Sequence, residues 1–176
     1  MARARFEIRH TWNGARARRD EFARVDLVID RVIEVVVEAP FHDDPAPASD
    51  PGPTDRLWEY EVVELFLLGA DERYLEIELG PHGHHLGLQL VGRRRVVEQG
   101  FPIEFRVERS AARWHGLARL DLAHRPPGLG SANAYAIHGT GAARRYLAAH
   151  PVPGPQPDFH RLECFPPLDP APAWPD

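Results

Sequence analysis

The residues best suited to chemistry lie between Leu57 and Leu86, in the sequence LWEYEVVELFLLGADERYLEIELGPHGHHL. Glu64 alternates in register with Trp58, Tyr60 and Phe66, so it shares their face of a strand. A carboxylate buried among apolar side chains must be paired, hydrogen-bonded or protonated. Glu64 is therefore either a structural residue that binds backbone or an arginine, or a ligand-binding or acid/base residue with a raised pKa.

The next predicted strand places Glu76 and Glu78 on one face with Tyr74. Same-face neighbours on a strand lie about 6.6–7 Å apart, near the ~5–5.5 Å between the carboxyl groups of retaining glycosidases. Any half-exposed strand with outward acids produces this spacing. We therefore expect Glu76 and Glu78 to face solvent, and Glu59 and Glu61 to face water at the open end of the preceding strand.

Ten histidines are many for this length, and His82, His84 and His85 crowd one turn. His82 and His84 could be two ligands on one face of an extended segment, with an aspartate or Glu64 completing a zinc-type set. The alternative is that the histidines cap turns and fill polar pockets. No spacing matches a known metal signature, so we assign no metal ligand and no cofactor.

The aromatic side chains could form flat platforms for sugar rings, although aromatic residues also fill sandwich cores. If one site exists, Glu64 should converge with the histidines at 82, 85, 138 and 160 on a single cavity. The candidate ligand-binding residues are Trp58, Tyr60, Glu64, His82, His85, Trp114, His138 and His160.

Composition excludes several classes of function. All 21 basic residues are arginine, so no Schiff-base or P-loop lysine is available. A net charge of -5 and the lack of an extended basic patch argue against nucleic acid as a partner, and we expect Arg93–Arg95 to form a solvated turn. The one cysteine, Cys164, cannot form an intramolecular disulfide, and its apolar neighbours predict a buried, inert thiol.

The hydropathy of the chain and its N-terminal residues bear on cellular location. No apolar run reaches 18 residues, so we expect no membrane span. The charged start, MARARFEIRH, is not followed by an apolar segment of the kind found in secretory signals, which predicts a cytoplasmic protein. A chain of 176 residues is large enough for one buried core, and we predict a single domain over 1–176.

Alternation with a period of two residues dominates the chain and predicts an all-β protein. Turn residues every 8–12 positions favour an antiparallel β-sandwich with jelly-roll-like connectivity and at most one or two short helices. One helix is expected over 142–149. Two proline-rich segments, a loop at 40–56 and a tail from 151 that should run extended over the surface, interrupt this pattern. Strands are expected near 4–12, 22–29, 31–39, 58–68, 73–80, 84–91, 101–109, 112–122 and 133–139.

The runs LWEYEVVELFLL and YLEIELGPHGHHL resemble an uncharacterised family of bacteria and animals, whose human member is a chromosome-four open-reading-frame protein. The resemblance covers nearly the whole chain and departs at His84, where the family usually has Gln, and in a shorter tail after Phe165. It implies no established activity. Further matching segments are HTWNG, APFHDDPAP, GRRRV, AIHG and RRYLAAHPVPG with PDFHRLECF.

More distantly, Trp58, the run Glu61–Glu64 and the run Glu78–Gly83 resemble the Trp, Asp-x-Val-Glu and Pro-x-Gly pattern of family-nine carbohydrate-binding modules. Glu61 stands where that pattern has Asp. The resemblance implies an antiparallel β-sandwich that holds the end of a sugar chain between aromatic residues, with structural calcium in some members.

Three hypotheses for function remain. The leading one is a soluble binding module for a small polar ligand, with a carbohydrate favoured, in which Trp58, Tyr60 or Trp114 stacks on the ligand and Glu64, His82 and His138 hydrogen-bond it. The second is an enzyme that uses clustered His and Glu, with or without a divalent metal, on a sugar-like or phosphorylated metabolite. The third is a protein–protein scaffold that makes contacts through the loop at 40–56 and the tail, and it predicts a large exposed apolar patch.

Overall fold

A computed structural model describes residues 1–168 as twelve β-strands with short connections. The helical elements of these residues are six 3-10 helices of three residues each. The strands are β1 (Ala2–Ile8), β2 (His10–Thr11), β3 (Ala23–Ile29), β4 (Val32–Pro40), β5 (Val62–Leu68), β6 (Arg73–Leu79), β7 (His85–Val91), β8 (Val96–Gln99), β9 (Glu104–Arg109), β10 (Arg113–Asp121), β11 (Ser131–His138) and β12 (Arg145–Ala148). The 3-10 helices are Arg19–Glu21, Leu57–Glu59, Ala70–Glu72, Leu122–His124, Gly141–Ala143 and Leu162–Cys164.

The strands form two antiparallel sheets, which confirms the predicted β-sandwich. The first sheet has the order β1-β3-β4-β10-β9, and the second has the order β2-β12-β11-β5-β6-β7-β8. Between the sheets, alternate side chains of each strand make one apolar core. In β4, for example, Ile33, Val35 and Val37 are fully buried and pack with Leu65 and Ile77 of the second sheet.

The second sheet is also covered on its outer face. Residues 151–168, called the tail below, cross this face without forming a named strand. Val152, Phe159 and Phe165 of the tail are buried against Phe66 and Tyr135 of the sheet. The tail was predicted to run extended over the surface, and it also forms a second apolar core with the sheet, called the outer core below. The end of the proline-rich segment, 169–176, lies outside the described residues.

The expected helix over 142–149 is wrong. Gly141–Ala143 forms a single 3-10 turn, and Arg145–Ala148 forms strand β12 between β11 and β2. A two-turn helix is marginal without tertiary packing, whereas pairing on both sides satisfies the strand backbone and buries Leu147 completely.

Several strands differ from the predicted ones. The predicted strand at 58–68 begins only at Val62, because Leu57–Glu59 forms a 3-10 turn. The predicted strand at 4–12 is divided between the two sheets, since β1 belongs to the first and β2 to the second. The short edge strand β8 was not predicted. The loop at 40–56 contains no strand after Pro40, apart from one bridge between Pro53 and His85.

None of the helices in the described part of the chain has the length and apolar character needed to cross a membrane.

Gly87 in β7 provides a stability prediction for the core between the sheets. A Cβ atom there would lie 2.4 Å from Cε2 of Phe101 and 3.0 Å from Cδ1 of Ile103, and both side chains are buried. Gly87→Ala is therefore expected to lower the free energy of unfolding by about 1–3 kcal/mol through overpacking. Urea unfolding measures the change, and Gly130→Ala is the control because a Cβ there meets only one atom, at 3.6 Å. Equal stability of the two variants would contradict the packing at Gly87.

Candidate functional site

A pocket of about 310 Å³ lies between the outer face of the second sheet and the tail. This tail pocket has Glu64 and Glu76 of neighbouring strands among its lining residues, with Phe159 and His160 contributed by the tail. Trp58, which is 39% exposed, also lines it. The pocket thus brings together an aromatic ring, carboxylates and an imidazole from three separate parts of the chain.

Three glutamates, called the acidic triad below, meet where β5 and β6 pair. Glu64 is directly opposite Glu78, and Glu76 is opposite Phe66. One carboxylate oxygen of each glutamate lies within 4.8 Å of the other two. The relative exposures are 2% for Glu64, 3% for Glu76 and 0% for Glu78. The predicted burial of Glu64 is correct, whereas the expected solvent exposure of Glu76 and Glu78 is wrong. The tail covers the face beside Glu76, and Glu78 lies next to the Leu57–Glu59 turn.

Burial raises the pKa of all three carboxyl groups. For Glu64, burial and the neighbouring Glu76 raise the pKa well above its ordinary value. Burial likewise raises the pKa of Glu76, and burial together with Glu64 raises that of Glu78. Oε2 of Glu76 and both carboxylate oxygens of Glu78 have no hydrogen-bond partner. The acidic triad is thus able to accept hydrogen bonds or to contact a cation.

His160 borders the triad from the tail. Its Nδ1 atom is 2.7 Å from the Tyr74 hydroxyl group, which also accepts a hydrogen bond from the backbone N–H of Arg94. Its Nε2 atom is 4.0 Å from Oε2 of Glu76. Burial, assisted by the positive charge of Arg94, lowers the pKa of His160 to about 4. The imidazole is therefore neutral at pH 7 and can offer a lone pair or a proton.

Asp158 fixes the tail at this point. It accepts hydrogen bonds from Arg93 and Arg94, and from the backbone N–H of His160 at 3.1 Å. Burial acts to raise the pKa of Asp158, but the two arginine hydrogen bonds outweigh it and hold the pKa below its ordinary value. Arg93 and Arg94, expected in a solvated turn, keep exposed side chains but tie that turn to the tail.

The other predicted site residues lie away from the tail pocket. His82 is close to the carbonyl group of Asp44, which lies in the loop at 40–56, and to Arg109, which lies in the first sheet. His85 is buried against Phe105. Trp114 is 3% exposed within the core between the sheets, so it offers no free face to a sugar.

His138 lies in a separate polar cluster. Its ring stacks on His42 with the centroids 3.6 Å apart, and its Nε2 atom is 3.1 Å from Oε1 of Glu21. Tyr60 packs on the outer core without being one of the pocket residues. Of the five residues expected to converge on one cavity, only Glu64 and His160 do so. Trp58 joins them.

Two acids preceding β5 behave differently from each other. Glu59 is exposed and paired with Arg56, as expected for a water-facing acid. Glu61 is 5% exposed and accepts hydrogen bonds from the backbone N–H groups of His42 and Asp44, so its expected exposure to water is wrong. Burial raises the pKa of Glu61 to about 7. This side chain holds the loop at 40–56 against the sheet. Cys164 is half-buried beside the outer core.

Sequence reasoning missed Glu76, Glu78, Arg94 and Asp158 as members of the site. A usable indication was present, since the tail carries Phe159 and Phe165 among its prolines. Two large aromatic residues in an otherwise irregular segment favour packing on a sheet. If the tail had been expected to cover the outer face of the sheet, Glu76 and Glu78 would have been predicted to lie buried beside Glu64.

The two sheets define a β-sandwich of the kind found in carbohydrate-binding modules. The fold is similar to that of a putative carbohydrate-binding protein from Bacteroides uniformis, with a TM-score of 0.70 and 15% identity over 92% of this chain and 84% of that one. It is also similar to a family-nine module from Caldicellulosiruptor kristjanssonii in complex with cellotriose, with a TM-score of 0.51 and 16% identity over 84% and 72% of the two chains.

The chain belongs to the UPF0462 family. It is 45% identical over 170 residues to the UPF0462 protein C4orf33 of Homo sapiens, covering 91% of this chain and 85% of the human protein. It is 43% identical to the Danio rerio homolog, covering 91% and 86% of the two chains. No family model matches the sequence.

Proposed function

We propose that the protein is a binding module for a small polar ligand, with a carbohydrate favoured, and that the ligand occupies the tail pocket. The observation that carries this proposal is the combination, in one pocket, of the exposed Trp58 ring with the buried Glu64 and Glu76 carboxyl groups, of which Oε2 of Glu76 lacks a hydrogen-bond partner. A sugar ring has an apolar face that stacks on an aromatic ring and hydroxyl groups that donate to carboxylates.

The shape and chemistry of the pocket support this proposal. A volume of about 310 Å³ is at the lower end of the ~300–1,000 Å³ range of small-molecule sites. A typical hydrogen bond contributes about 0.5–1.5 kcal/mol net, so contacts of ligand hydroxyl groups with Glu64 and Glu76 would add to the stacking on Trp58. A structure of a family-nine module from Caldicellulosiruptor kristjanssonii in complex with glucose has a similar fold, with a TM-score of 0.52.

Charge and cysteine content bear on partner and location. The net charge of -5 favours a small neutral ligand over nucleic acid. The single cysteine is compatible with the reducing cytoplasm, where we propose that the protein acts.

Trp58→Ala is expected to weaken ligand binding about 5- to 150-fold, because removing an aromatic stacking platform costs about 1–3 kcal/mol of binding free energy. Titration of a panel of mono- and oligosaccharides by calorimetry identifies the ligand and measures the loss. Trp58→Phe is the matched variant and should retain most of the affinity. Trp12→Phe changes a tryptophan outside the tail pocket and should bind as the unmodified protein does.

Two results would contradict the proposed function. One is the absence of saturable binding by the unmodified protein across the panel. The other is equal affinity of the unmodified protein and Trp58→Ala for a sugar that does bind.

A second candidate function is acid/base hydrolysis of a glycoside. The observation that favours it is a set of adjacent carboxyl groups with raised pKa values, which allows one group to stay protonated while another is ionised. Release of nitrophenol from aryl glycosides, lost in both Glu64→Gln and Glu76→Gln, would support turnover. Binding of the same glycosides without release assigns the pocket to binding alone.

A further inference from the structure

We propose that Glu64, Glu76 and Glu78, with Nε2 of His160 beside them, form a binding site for one divalent cation of the Mn²⁺ or Zn²⁺ type. The inference uses the tail pocket described above, but it does not require that the ligand of the pocket be a carbohydrate. A bound cation would lie next to the space assigned to the ligand, where ligand oxygen atoms could complete its coordination.

The charges around the acidic triad provide the first argument. Within residues 1–168, no arginine donates a hydrogen bond to any of the three carboxylates. Arg94 and Arg144 are the arginines whose charges act on the pKa of Glu64, but both bind other groups. Arg94 pairs with Asp158, and Arg144 donates to the backbone carbonyl groups of Gly139 and Trp58. Three buried carboxyl groups within 4.8 Å of one another therefore lack a counter-charge.

Glu78 provides the second, independent argument. It is fully buried, and both of its carboxylate oxygens lack a hydrogen bond of good geometry, although the Trp58 backbone and Glu76 lie beside them. One of these oxygens points into the triad. Structural glutamates of the same chain are satisfied: Glu21 binds Arg145 and Arg18, and Glu61 accepts two backbone N–H groups. An unpaired buried carboxylate is unfavourable, and a cation ligated by the triad would remove that cost.

His160 decides the type of cation. The contact of its Nδ1 atom with the Tyr74 hydroxyl group directs Nε2 towards Glu76, as an outer-shell partner does for a metal-binding imidazole. An imidazole together with carboxylates suits Mn²⁺ or Zn²⁺, whereas Ca²⁺ and Mg²⁺ prefer oxygen ligands alone. Two ligand atoms on one such ion lie at most about 4.2 Å apart, so small side-chain rotations would close the site.

Cation binding is tested on the full-length protein after treatment with EDTA and desalting. Calorimetry and the loss of the free Mn²⁺ electron paramagnetic resonance signal should show one ion per chain. A hundredfold excess of Mn²⁺ or Zn²⁺ over the dissociation constant should raise the melting temperature by about 5–10 °C. Ca²⁺ at the same concentration should produce a smaller rise.

Glu78→Gln and Glu64→Gln are expected to weaken Mn²⁺ binding at least about thirtyfold, since each removes one charged ligand. Both variants should fold, because glutamine keeps the size and shape of the buried side chain, and circular dichroism checks this. Glu59→Gln is the matched control at an exposed acid and should bind as the unmodified protein does. His160→Ala should weaken Mn²⁺ and Zn²⁺ binding more than Ca²⁺ binding.

The proposal is overturned if no stoichiometric ion is bound, or if binding survives unchanged in both glutamine variants. The second result would assign the ion to surface histidines. Sugar titrations in EDTA separate this proposal from the proposed function. If sugar binds but no cation does, the proposed function stands and the cation site is rejected. If a cation binds but no sugar does, the cation site stands and the proposed carbohydrate-binding function is rejected.

Discussion

Phe159→Ala is expected to lower the free energy of unfolding by about 3–5 kcal/mol and to abolish ligand binding in the tail pocket. The Phe159 ring stacks on Tyr135 with the centroids 3.9 Å apart, and it is 7% exposed. The Tyr135 hydroxyl group donates a hydrogen bond to the Phe159 carbonyl oxygen at 3.2 Å. Removing the ring opens a cavity in the outer core and releases the part of the tail that carries Asp158 and His160. Urea unfolding and calorimetry measure the two effects.

The control for this prediction is Phe159→Leu, which keeps an apolar side chain at the same place. It should lose less stability than the alanine variant and retain measurable binding. If Phe159→Ala unfolds at the same urea concentration as the unmodified protein and binds ligand equally well, the tail is not a structural cover of the second sheet.

Glu21→Gln is expected to lower the free energy of unfolding by about 2–3 kcal/mol at pH 7. Glu21 is 1% exposed and accepts two hydrogen bonds from Arg145, at 2.8 and 3.1 Å. It also binds the backbone N–H and the side chain of Arg18, and its Oε1 atom contacts Nε2 of His138. The pair with Arg145 ties the first long loop to β12, at the end of the sandwich. The glutamine variant keeps the shape of the side chain but removes the charge.

The effect of Glu21→Gln should depend on pH. Burial acts to raise the pKa of Glu21, but Arg145 and Arg18 outweigh it and lower the pKa to about 2. Because this pKa lies below the ordinary value of 4.5, the ionised carboxylate stabilises the fold fully above pH 4.5. That contribution is lost as pH falls from 4.5 through 2. Other titratable groups nearby include His138 and His42, whose pKa values are lowered by burial, together with Asp44, Asp20 and Glu61.

The stability difference between the unmodified protein and Glu21→Gln should therefore shrink as pH falls below 4.5. Glu7→Gln is the control, because Glu7 forms an exposed pair with Arg9 and should contribute less than about 1 kcal/mol. A difference for Glu21→Gln that stays constant from pH 7 to pH 2 would show that the charge of Glu21 does not stabilise the fold.

The tail connects stability with the proposed function. It contributes Phe159 and Phe165 to the outer core, and Asp158 and His160 to the pocket. The apolar side chains of the tail, up to Leu168, therefore pack against the rest of the protein. The scaffold hypothesis needs a large exposed apolar surface, and Phe159 and Phe165 are not available for one.

Alternation in the sequence was sufficient to predict most strands and the two-sheet class, because in-out alternation is a local property of each strand. It also predicted that Glu64 lies among apolar neighbours, since Trp58, Val62 and Phe66 surround it in the sequence. Local pattern failed at 145–148, where pairing on both sides outweighed the helix-favouring alanines and arginines. The positions of the histidine rings could not be predicted in the same way, because loops from distant parts of the chain decide where those rings point.

By itself, the sequence determined that Glu76 and Glu78 share one strand face, that Glu64 lies in an apolar register, and that the chain resembles an uncharacterised family. Only the tertiary structure decided that these acids are buried together and joined by His160. The physical reason is that a period of two residues specifies which side chains lie on one face of a sheet, but not whether water reaches that face. Here residues 151–168, about eighty positions further along the chain, exclude the water.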